Sequence, residues 1–227
     1  MKKILLSLAV IAATLAPGAA PAAEQTGFYL APKFALNVQH SKGVASAQEG
    51  DASLGSKTGV RAGGALALGY DFAPQFQIPV RAELEYGAYG DLSGIKKLRS
   101  NVSLKRTVGI QTLLANVYWD IAEWNGFTPY VGAGAGVAFL KTEGRFRAPR
   151  DIAQARPDLV SPWSDTDTVF AGQIGLGCSY AITDSISADF GYRFLMMDHG
   201  EAVRENFELQ SKENRIHQVM LGLRVTF

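Results

Sequence analysis

The side chains best suited to nucleophilic, acid–base or metal chemistry in this 227-residue chain are few: His40, His199, His217 and the lone Cys178. A hydrolytic centre needs an acid that orients an imidazole beside a nucleophile. Asp198-His199 is the only adjacent acid–histidine pair, and in its polar surroundings it reads as a solvated loop pair. No His, Cys, Asp or Glu spacing resembles a metal site. The run Gly132-Ala133-Gly134-Ala135-Gly136 is not a phosphate cradle, because neither a helix nor a lysine follows it. No catalytic residue, metal or cofactor is therefore expected. The remaining chemistry is charge. Lys33, Arg61, Arg81, Glu83, Glu85, Asp189, Arg193 and Arg224 all interrupt otherwise apolar stretches at alternate positions.

That alternation points to strands. Eight segments carry it: Phe28 to Gln39, Val60 to Phe72, Ile78 to Tyr89, Arg106 to Ile121, Thr128 to Leu140, Thr168 to Tyr180, Ile186 to Met197 and Arg215 to Phe227. In the third, Val80, Ala82, Leu84 and Tyr86 oppose Arg81, Glu83 and Glu85. The fourth changes phase, with Val108 and Ile110 on the face of Asn116, which suggests a bulge or an extension beyond a membrane. Connections after the second, fourth and sixth segments are short. Those at 40–59, 91–105, 141–167 and 198–214 are long and polar.

Composition narrows the class. Hydrophobic residues make up 47%, which excludes a disordered chain. One cysteine excludes an internal disulfide framework. A net charge of +1 gives no support for nucleic-acid binding. Lys2 and Lys3, the apolar run Ile4 to Leu15 and the small residues Ala19-Ala20-Pro21-Ala22-Ala23 form a secretory signal pattern. The expected organisation is a signal peptide over 1–22, cleaved before Ala23 or Glu24, and one barrel domain over 23–227. Without the two lysines, 20 basic residues face 21 acidic ones.

The mean hydropathy of +0.03 conceals two unlike faces. A soluble barrel would hide its apolar face and display polar groups. Here nearly all aliphatic and aromatic side chains share one face, too many for a small lumen to hold. Turning them to lipid and the charges inward resolves the conflict. Segments of 9–11 residues suffice to cross at a 45° tilt. Phe28, Phe72, Trp119, Tyr180 and Phe227 fall at the short-turn rim, and Phe139, Phe170 and Phe194 at the other, as interfacial girdles do. The fold class is all-β: an eight-stranded antiparallel up-and-down transmembrane β-barrel with short periplasmic turns and four long extracellular loops. A lumen of this size is filled by side chains. Lys33, Arg81, Glu83, Glu85, Asp189, Arg193 and Arg224 are expected to form its charge network, with Asp189 and Arg224 paired at similar depth.

Three stretches carry a family resemblance. Pro129-Tyr130-Val131-Gly132-Ala133-Gly134-Ala135-Gly136 resembles the fifth strand of the opacity-type eight-stranded outer-membrane barrels. Asp189-Phe190-Gly191-Tyr192-Arg193-Phe194 is similar to their seventh. Val219, Leu221, Leu223, Val225 and Phe227 resemble the terminal signal read by the barrel-assembly machinery. The resemblance implies a monomeric Gram-negative outer-membrane surface protein with a structural or adhesive role. Its implied partners are outer-membrane lipids and lipopolysaccharide, the assembly machinery and a host surface ligand. The alternatives are a small-solute channel and a lipid A-modifying enzyme. Two long connections are basic: Lys96, Lys97 and Arg99 with Lys105 and Arg106 at the edge, and Lys141, Arg145, Arg147, Arg150 and Arg156. Arg145, Arg147 and Arg150 are the expected polyanion contacts.

Overall fold

The computed structural model describes residues 26–47, 50–99, 102–147, 163–198, 200–204 and 207–227. In chain order the elements are β1 (Phe28–Ala47), β2 (Gly50–Asp71), a four-residue helix α1 (Ala73–Phe76), β3 (Val80–Arg99), β4 (Val102–Asp120), β5 (Phe127–Arg147), β6 (Trp163–Ala181), β7 (Ile186–Met197), β8 (Gly200–Arg204) and β9 (Phe207–Thr226). Successive strands pair antiparallel, and β9 returns to β1 to close the sheet. β8 continues the line of β7 along β9, so nine strands make eight staves. The expected signal peptide lies outside the described residues.

Turn chemistry closes the periplasmic end. Asn125 and Gly126 both have positive φ, and Trp124 and Phe127 exchange backbone hydrogen bonds of 2.8 and 2.9 Å across them. This two-residue Asn-Gly turn matches the right-handed strand twist. The Thr183 hydroxyl accepts the Ile186 amide at 3.0 Å in the next turn. The chain ends meet at the same rim, where the Thr26 amide donates to the Phe227 carbonyl at 2.8 Å.

All eight expected segments form staves, but the strands continue well past the outer leaflet. β1 and β2 pair up to Ala47–Gly50, β3 and β4 to Arg99–Val102, and β5 and β6 to Gly144–Trp163. Much of the four long connections is thus hairpin. In the extensions the sequence turns polar and its alternation fades, while backbone pairing persists. The pairing is not uniform. The β2–β3 ladder runs only from Gly63–Tyr89 to Asp71–Arg81, and the β6–β7 ladder ends at Ala171–Met197. The outer extension therefore splits into two sheets, β8–β9–β1–β2 and β3–β4–β5–β6. Arg61 spans the seam between β2 and β3, its Nε donating to the Asp91 carbonyl at 2.9 Å.

The phase change in the fourth segment is not a break in its ladder with β5. The β4–β5 ladder is unbroken from Ser103 to Asp120. Ile110 and Leu114 are buried on the inner wall, with Val108 packed against their cluster. The inner wall itself becomes apolar near the outer end. The bulge lies in β3, where the register shifts between Tyr89 and Leu92.

Inside, bulk is matched to its absence. Tyr29, Tyr89, Tyr118 and Tyr130 stand directly opposite Gly69, Gly63, Gly132 and Gly177. Each ring occupies the space that a Cβ on the facing glycine would need. Gly132→Val should displace the Tyr118 ring and destabilise the barrel by about 1–3 kcal/mol. Urea unfolding of the reconstituted protein reads the loss, and the neighbouring lipid-facing Ala133→Val should change stability by less than about 0.5 kcal/mol.

Candidate functional site

The lumen is layered. Near the periplasmic end, Arg81 grips Asp120 through Nε at 2.9 Å and Nη2 at 2.7 Å. Its guanidinium also lies over the rings of Tyr118 (5.3 Å) and Tyr130 (4.9 Å). Arg224 donates to the Ser179 hydroxyl at 2.8 Å and approaches Asp189 only to 4.0 Å. Above them, Lys33 bridges Glu83 at 2.5 Å and Glu85 at 2.8 Å. Arg193 reaches the other oxygen of Glu85 at 2.6 Å and the Tyr89 hydroxyl at 2.9 Å. Tyr29 donates to Glu83 at 3.0 Å. In this network four cations face four carboxylates, so it is neutral. Burial of so many charges is tolerable because most are paired and hydrogen-bonded; among the described residues Asp189 Oδ1 and Arg224 Nη1 are buried without a hydrogen-bond partner.

A layer of amides follows. Gln218 donates to Asn37 at 2.5 Å and accepts from Arg193, while Gln173 donates to Asn116 at 2.5 Å. Above it the lumen turns apolar: Ile110, Leu114, Leu140, Val169, Leu195, Met197 and Ile216 pack together beside Tyr89. The residual space around the ions is a cavity of about 20 Å³ lined by Lys33, Arg81, Glu83 and Asp189 among others, about one water in size. This barrel centre is a plug built of ions, then amides, then hydrocarbon.

The seven expected lumen charges all face inward and fall into three ion-pair groups: Lys33, Arg193, Glu83 and Glu85; Arg81 with Asp120; and Arg224 beside Asp189. The expected set omits Asp120, although it shares the parity of Asn116 on β4. It also omits the tyrosines and amides, whose polar tips carry no charge signal, and the apolar cap. Arg61 sits at the rim rather than in the network. Asp189 and Arg224 are neighbours on the inner wall but form its loosest pair.

Outside, thirty large apolar side chains stand exposed among the described residues. A soluble monomer does not display such a continuous patch. Phe28, Trp119, Tyr180 and Phe227 lie at the short-turn rim and Phe170 towards the other, all outward and exposed. Val219, Leu221, Leu223 and Phe227 of the terminal stretch are likewise exposed, with Val225 half-buried. His217 lies towards the end of the barrel that carries the long connections. It faces outward on β9, where its Nδ1 lies 2.6 Å from the Tyr192 hydroxyl and its ring 4.8 Å from that of Phe194. Cys178 faces the same side, half-buried. His40 lies on β1 opposite Thr58 rather than in a loop. His199, Arg150 and Arg156 lie outside the described residues. Arg145 and Arg147 extend β5 opposite Lys105 and Ser103. Lys141 also belongs to β5, exposed and paired with Glu143 at 2.9 Å.

A closed antiparallel barrel with a lipid-compatible outside and a plugged polar inside defines an integral β-barrel of the outer membrane. The profile of the family described as "Outer membrane protein beta-barrel domain" matches residues 5–227. The outer membrane protein PagN of Salmonella typhimurium is 30% identical over 189 residues, covering 78% of this chain and 77% of its own. A candidate adhesin of Rickettsia conorii is 26% identical over 64% of this chain and 61% of its own. Neisserial surface protein A superposes with a TM-score of 0.51 at 19% identity, covering 89% of this chain and 98% of that one. The chain belongs to the outer membrane protein beta-barrel family, and it resides in the outer membrane.

Glu85 is the keystone of the ion layer, holding both Lys33 and Arg193. Glu85→Gln should leave those cations underpaired and cost about 3–5 kcal/mol. Asp189→Asn, at the 4.0 Å pair, should cost less, about 1–3 kcal/mol. Equilibrium unfolding in lipid vesicles separates the two.

Proposed function

We propose that this barrel is a non-enzymatic surface protein that acts through its extracellular hairpins as an adhesin, while the barrel below serves as its anchor. The observation that carries the reading is the layered plug. With the lumen closed by ions, amides and hydrocarbon, contact with the outside falls to the strands that rise above the bilayer. The Rickettsia conorii relative is a candidate adhesin, which supports the same reading. The basic stretch holding Arg145, Arg147 and Arg150 is the element of choice for a polyanionic surface, because guanidinium groups bind sulfate and phosphate bidentately. Export would remove residues 1–22 or 23, and Val219, Leu221, Leu223, Val225 and Phe227 would guide insertion by the assembly machinery.

Displayed on a non-adherent Gram-negative host, the protein should confer binding to cultured epithelial cells. Changing Arg145, Arg147 and Arg150 together to Gln should lower that binding several-fold and flatten its salt dependence. Undiminished binding by the triple variant would remove these arginines from the contact. In planar bilayers the plug should prevent steady conductance steps. Such steps would favour the channel reading instead.

A further inference from the structure

The outer wall carries a polar depression that neither the plug nor the hairpin tips explain. It lies across β3, β4, β5 and β6 and has a volume of about 350 Å³, within the range of small-ligand pockets. Its lining includes Gly109, Tyr89 and Ile110. The β3 bulge swings Asp91 over that glycine, with the carboxylate Oδ1 2.8 Å from where a Cβ would stand. Lys141, directly opposite Gly109 on β5, forms one side with Glu143. Its hydrogen bond to Glu143 and the nearby Asp91 charge hold the Lys141 amine above its ordinary value, so it stays protonated. Gln111, Thr107 and Thr166 add amide and hydroxyl groups, and half-buried Phe139 forms the lower lip.

Height decides what this depression meets. From Ile121 at the periplasmic turn to Gln111 is ten residues, or about 25 Å of membrane normal at ordinary strand rise and tilt. Gln111 therefore marks the top of the hydrocarbon. The outward residues one step below it, Leu113, Val137 and Phe170, are apolar. The depression opens where the head groups of the outer leaflet begin, with a greasy wall beneath for an acyl chain. Two carboxylates against one ammonium leave it at −1, which disfavours a bare phosphate. Carboxylates, an amide and hydroxyls around an aromatic edge suit a donor-rich sugar ring.

We propose that this depression is a binding site for the sugar head of an outer-leaflet glycolipid, with the ring held between Asp91 and Lys141 and its chain on the wall below. The site is on the barrel side and is independent of adhesion by the hairpins. Native mass spectrometry of the whole barrel in a polyoxyethylene detergent tests it, with three probes: lipid A, dephosphorylated lipid A and phosphatidylglycerol. Both sugar lipids should be retained, and phosphatidylglycerol should be retained about tenfold less. Gly109→Leu, which adds bulk to the lining, and the Asp91→Ala/Glu143→Ala double variant should each lower sugar-lipid retention about five- to tenfold, as expected for lost hydrogen bonds to charged groups. His217→Gln, at similar height on the opposite wall, should change nothing. Heat-modifiable gel mobility establishes that each variant is folded. Equal retention of phosphatidylglycerol, a requirement for the phosphates, or undiminished retention by both folded variants would overturn the proposal.

Discussion

Everything in this barrel follows from the cost of an unpaired peptide group in hydrocarbon. Each such group costs several kcal/mol, and no water is present to relieve it. The sheet must therefore close, which it does where β9 meets β1 from Tyr29–Thr226 upward. Closure then dictates side-chain chemistry. Alternate residues face lipid and must be apolar; the others face a tube whose width eight staves fix. What remains to be chosen is how to fill that tube.

The filling is a problem of volume as much as of charge. Four tyrosines and six long ionic side chains on neighbouring staves could not pack together if every wall position carried a Cβ. The facing glycines at 63, 69, 132 and 177 open that space, and the aromatic rings cover the bare backbone in return. Glu85, fully buried, ties β1 to β7 across the lumen through Lys33 and Arg193. Such ties cross the barrel between strands that share no ladder. They make the interior a second layer of closure, perpendicular to the hydrogen bonds of the sheet.

The lipid-facing part of this design was legible from sequence because lipid imposes a strict two-residue rule. It reveals all eight staves, the inward charges and the turn at Asn125-Gly126. The rule fails where its cause ends. Past Gln39 or Leu140 the sequence turns polar and loses its apolar alternation, so paired strands read as loops. Val108 and Ile110 read as a slip in phase, since an apolar patch on an inner wall looks locally like an outer one. The tyrosine–glycine pairs need the register, because tyrosine is common on both faces. The reach of Arg193 to Glu85, 108 residues away, needs the closed circle. Asp91 over Gly109 needs the bulge.

The unequal seams bear on how the molecule carries force. A surface protein tethered to another cell is pulled sideways by flow, and the load enters through whichever outer sheet holds the tether. With the ladders between the two sheets ending at Gly63–Tyr89 and Ala171–Met197, tension among the described residues has no β-ladder by which to pass from one sheet to the other beyond those pairs. It converges on the β2–β3 joint, nine paired positions long and clasped at its mouth by Arg61 on the Asp91 carbonyl. Pulled apart from that mouth, the joint would open bond by bond like a zipper rather than resist as a block. That single arginine is therefore placed where a tear would start.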